Sequence, residues 1–166
     1  HHVGWLRVLC RLGEEAQEIL DEELNIATEQ GFVFWVGRGT LDRGASAMLQ
    51  GNLEGGLALL VEGLAYYRAT GAELALPYYF SHLGDAFTRA GRFEDAHRMI
   101  EEGLAISERD DDRFQEAELH RILGELHLAE TDDEDAAAEC FTTAIAIARR
   151  QQGKAWELRS TMSLAR

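Results

Sequence analysis

The chain repeats itself about every 40 residues, and that period limits its fold more than any single motif. Laying residue 31 over 71 and 111 puts "QGFVFWVGRGTLDRGASAMLQGNLEGG" above "TGAELALPYYFSHLGDAFTRAGRFEDA". Below them falls "DDDRFQEAELHRILGELHLAETDDEDA". Gly44, Gly84 and Gly124 come into register. Gly51 and Gly91 do so too, with Thr131 in the third row. "EGLAYYRATG" matches "EGLAISERDD". After one inserted residue "TAIAIARRQQ" follows, and "EEAQEILDEELNIATEQG" is a leading half of the same kind. A short period of this sort marks units that cannot bury a core alone and must stack on neighbours.

Each unit carries two amphipathic helical patterns. Ala96, Ile100, Gly103, Leu104 and Ile106 recur at helical spacing in one half, and Phe80, Leu83, Gly84 and Phe87 in the other. Breaks such as "RAGRF" and "LQGNL" separate the halves, with Gly placed to end one helix. Asp and Glu then open the next, where they suit its dipole. The single proline, Pro77, lies near a helix start, where its missing N–H costs little. The pattern predicts helices near 3–12, 14–30, 33–50, 53–70, 74–90, 93–109, 113–130, 133–151 and 155–166, in one domain over 1–166.

The formal charge is −14, from 30 acidic and 16 basic residues. Such a balance disfavours binding to nucleic acid or anionic lipid, so neither is expected as a partner. No apolar run approaches the about 18 residues of a membrane span, and "HHVGWLRVLCRLGEE" lacks the layout of a signal peptide. Cys10 and Cys140 have no neighbour at metal-ligand spacing and read as small buried residues of a reducing compartment, the cytoplasm. His1 and His2 read as a tag remnant, and both ends read as cuts in a larger protein.

The repeat resembles the tetratricopeptide family. In that family a small residue in the first helix of a pair admits the second, as Gly44, Gly84 and Gly124 would. A small residue early in the second helix does the same, as Gly56, Ala96 and Ala136 or Ala137 would. Large apolar residues of the second helix match at Leu60, Ile100 and Phe141, and a further small position at Gly63, Gly103 and Ala144. The period is longer than the family's about 34 residues, and its closing proline is missing. The resemblance implies an all-α fold, an α-solenoid of antiparallel helix pairs. Several phrases, "YRATGAELALPYY", "EAELHRILGELHL" and "EQGFVFWVGRGTLDRG" among them, also look like the C-terminal repeats of large bacterial signalling proteins. Those proteins join a nucleotide cyclase or DNA-binding module to an ATPase module. That likeness implies a regulatory tail with a protein, peptide or sibling domain as partner.

Chemistry is weakly signalled. His120 and His127 share a helix face with Glu116, yet they align with the packing residues Phe80 and Phe87, so no metal and no cofactor is expected. "SERDDDRF" and "AETDDEDA" lack the ligand order of a calcium loop, and "QQGKAW" lacks a complete phosphate loop. Ser81, His82 and Asp85 are adjacent in sequence, which is not triad geometry, so no enzyme is expected. The family resemblance implies that first helices line a concave groove. Position by position it would show Arg38, Leu41 and Ala45; Tyr78, Ser81, Asp85 and Arg89; Glu118, Arg121 and Glu125; and Arg159 and Met162. A peptide binder would keep Arg38, Tyr78 and Arg121 exposed. A small-molecule sensor would instead close a cavity near Trp35, Tyr78 and Phe114. An oligomerisation scaffold would leave an apolar patch around Trp5 or Trp156.

Overall fold

The computed structural model describes residues 2–166; His1, read as part of a tag, lies outside the described residues. The described residues form nine helices and no strand. These are α1 (His2–Leu9), α2 (Gly13–Glu29), α3 (Val33–Leu49), α4 (Leu53–Ala69), α5 (Leu76–Arg89), α6 (Phe93–Arg109), α7 (Glu116–Thr131), α8 (Glu134–Arg150) and α9 (Lys154–Leu164). None is long and apolar enough to cross a membrane. The chain divides into two compact units, one ending at Leu74 and one beginning at Ala75.

The turns keep time. Arg11, Gly31, Gly51, Gly71, Gly91, Asp111, Asp132 and Gln152 all take left-handed backbone angles, φ between 53° and 84°. Glycine adopts that angle without strain and asparagine or aspartate with little, whereas Arg11 and Gln152 bear a cost. Helices begin within about one residue of where the sequence predicts, except at α5 and α7, and α1 ends at Leu9 rather than at 12. Ala75 also turns left-handed (φ 60°), and Pro77 then sits in the first turn, so α5 starts at Leu76. Asp111 and the turn after it delay α7 to Glu116. Asn52 caps α4 by accepting from Gly55 N at 3.0 Å, and Asp133 caps α8 by accepting from Ala136 N at 2.9 Å.

In the first unit α1, α2, α3 and α4 pack on their chain neighbours, and α1 also reaches α3. The closest approach is α3 on α4. A Cβ on Gly63 would stand 2.7 Å from Leu41 N, and one on Gly37 2.8 Å from Tyr67 N. Backbone thus lies on backbone, with Leu41 and Leu60 wholly buried beside it. The second unit packs α5 on α6, α7 on α8 and α8 on α9, while α5, α7 and α9 touch in succession. Here each helix glycine meets a side chain instead. Gly84 faces Ile100 and Gly124 faces Phe141, which occupy matching positions in the second helices of the two pairs. Tyr79, Phe80, Leu83, Ile100, Leu119 and Leu126 fill this unit's core.

Candidate functional site

The nine polar groove residues read from the sequence divide by environment. In the first unit Arg38 lies on α3 with its guanidinium 5.9 Å from the ring centre of Trp35. Tyr67, nearby on α4, has its phenol pushed up by burial. The Arg38 charge pulls it back and the Asp42 charge adds to the rise. Its hydroxyl donates to the Leu74 carbonyl at 2.5 Å.

In the second unit Tyr78 stands edge-on to Tyr79 and His82, at 5.1 and 4.7 Å between ring centres. Ser81 donates to the Tyr78 carbonyl at 2.7 Å. Asp85 and Arg89 form a part-exposed pair 3.5 Å apart, one helical turn apart on α5. Such pairs contribute only about 0.3–0.5 kcal/mol.

Glu118, Arg121, Glu125 and Arg159 do come together. Arg121 Nε and Nη2 donate to both oxygens of Glu118 at 3.2 and 3.0 Å, and Nη1 donates to Glu125 at 3.2 Å. From α9, Arg159 lies 3.4 Å from Glu118, Ser163 donates to Glu125 at 2.6 Å, and Arg166 also reaches Glu125. Burial pulls the Arg121 guanidinium down. The charge and hydrogen bonds of Glu118, with Asp85 and Glu125, outweigh it and hold the pKa above the usual value. The network therefore keeps Arg121 charged and links α7 to α9.

Exposure corrects one expectation. Arg38, Tyr78 and Arg121 are only 7%, 2% and 7% exposed, so they do not present an open polar groove. The reason is local. Neighbouring rings cover Tyr78, and glutamates three residues before and four after on its own helix enclose Arg121.

The histidines do not assemble a centre either. His97 Nε2 lies 2.8 Å from Glu130 and its ring 6.3 Å from that of His127, while burial pulls His120 down and Glu116 pushes it up less strongly. Among the described residues no group of three or more His, Cys, Asp or Glu is placed to hold a metal ion. Burial, with the Glu139 charge, raises the Cys140 thiol and makes it a poorer nucleophile.

An open cleft lies elsewhere. Where α2 turns into α3, Glu23, Ile26, Ala27, Phe32 and Trp35 line a cleft of about 220 Å³. Ile26 and Phe32 are each 53% exposed and Trp35 36%. Sequence reasoning singled out Trp35 at a helix start but missed Ile26, Ala27 and Phe32. Their signal was available in the repeat register, which sets Ile26, Ala27 and Trp35 against Ile147, Ala148 and Trp156.

The described residues form an all-helical, repeat-like fold with a tied ionic cluster on α7 and an open aromatic cleft at the α2–α3 turn. No protein-family model and no curated protein matches the sequence.

Proposed function

We propose that the chain is a noncatalytic protein- or peptide-binding module, a tetratricopeptide-like stack serving a bacterial signalling protein of the cytoplasm. The observation that carries this reading is the cleft between α2 and α3, where exposed apolar and aromatic side chains meet at a helical corner. Aromatic anchors in such corners supply most of the binding energy of peptide interfaces. The Glu118–Arg121–Glu125 cluster supports a scaffold role in the same reading, because its charges are engaged with one another and with α9.

The cleft's volume favours this reading over a small-molecule sensor at this site. Pockets that enclose a drug-sized ligand span about 300–1,000 Å³; a cleft of about 220 Å³, open to solvent, suits a side chain better than a whole metabolite.

The test is selection of peptides from a displayed library on the folded chain, followed by calorimetry of the synthetic winners. Saturable binding at micromolar affinity is the expected result. In parallel, thermal unfolding is followed with metabolites, nucleotides and sugars. A specific ligand at about 100 times its dissociation constant would add about 2.7 kcal/mol and raise the midpoint by about 5–10 °C. A metabolite shift with no peptide binder overturns the reading in favour of the sensor.

A further inference from the structure

We draw no further inference here: the strongest candidate, the His97–His127–Glu130 side-chain cluster where α6 meets α7, carries nothing because His97 Nε2 shares its hydrogen bond with Glu130 at 2.8 Å, its ring stands 6.3 Å from that of His127, and no three such groups among the described residues are placed to hold a metal ion.

Discussion

The α3–α4 pair and the α7–α9 pair answer one structural problem in opposite ways. Both bring helices together around equivalent repeat positions. In α3 and α4 the solution is subtraction: Gly37 and Gly63 remove side chains until backbone meets backbone, with Leu41 buried alongside. At the position equivalent to Leu41, α7 carries Arg121, and the solution is compensation by Glu118, Glu125 and residues of α9. The first contact is held by shape and the second by charge balance. The two should therefore fail differently.

The largest effect is expected from Arg121→Ala. It leaves Glu118 buried without its bidentate partner, and removing one member of a buried pair costs about 3–5 kcal/mol. Urea unfolding followed by circular dichroism measures it. Replacing Glu118 and Arg121 together by leucine and methionine should recover most of that loss, because both charges leave at once. If the double variant is as unstable as Arg121→Ala, charge balance is not what holds α7 to α9.

Next comes Gly63→Ala. The added methyl would meet backbone atoms of α3, which cannot rotate away, so a loss of about 1–3 kcal/mol is expected. Gly84→Ala should cost clearly less, since its nearest neighbour is the Ile100 side chain, which can change rotamer. Equal losses in the two variants would erase the proposed distinction between backbone and side-chain contacts.

A smaller pair of changes addresses the turns. Gly91→Ala forces a Cβ into the left-handed region and should cost about 1–2 kcal/mol. Gln152→Gly should be neutral or stabilising by up to about 1 kcal/mol, because relief of strain opposes the greater freedom of glycine in the unfolded chain.

The smallest effect is a pH dependence of the second unit. Burial, the main cause, lowers the pKa of His120 below its ordinary value of 6.5. Below that value the unfolded chain takes up a proton that the folded chain resists. Stability should therefore fall as pH drops from about 6.5 toward the folded-state pKa and then level off. His120→Phe, which places there the residue type found at Phe80, should flatten that slope. Native-state hydrogen exchange in α7 at several pH values measures it.

Much of the helical architecture was legible because it rests on local periodicity. Gly44, Gly84 and Gly124 recur at one spacing, as do Leu60, Ile100 and Phe141; that each glycine meets the large residue of its own pair is seen only in three dimensions. Burial of the polar residues was harder to read. Glu118, Arg121 and Glu125 show helical ion-pair spacing in the sequence. Whether they face a groove or each other depends on Arg159 and Ser163, about 40 residues further on. The cleft was the least legible feature. Ile26 and Phe32 look like any core residues of an amphipathic pattern, and only the three-dimensional neighbourhood shows that they are uncovered.

The left-handed turn residues have a consequence for how such a chain can change length. Ala75 aside, they recur at intervals of 20 residues, once stretched to 21 between Asp111 and Asp132. Removing or duplicating one interval exchanges the first and second helices of every later pair, so glycines would face glycines and large residues would collide. Removing or duplicating two intervals restores the parity, and each helix again meets the kind of neighbour its side chains were shaped for. The chain's length is thus counted in pairs of turns, although each turn by itself looks like a complete punctuation mark.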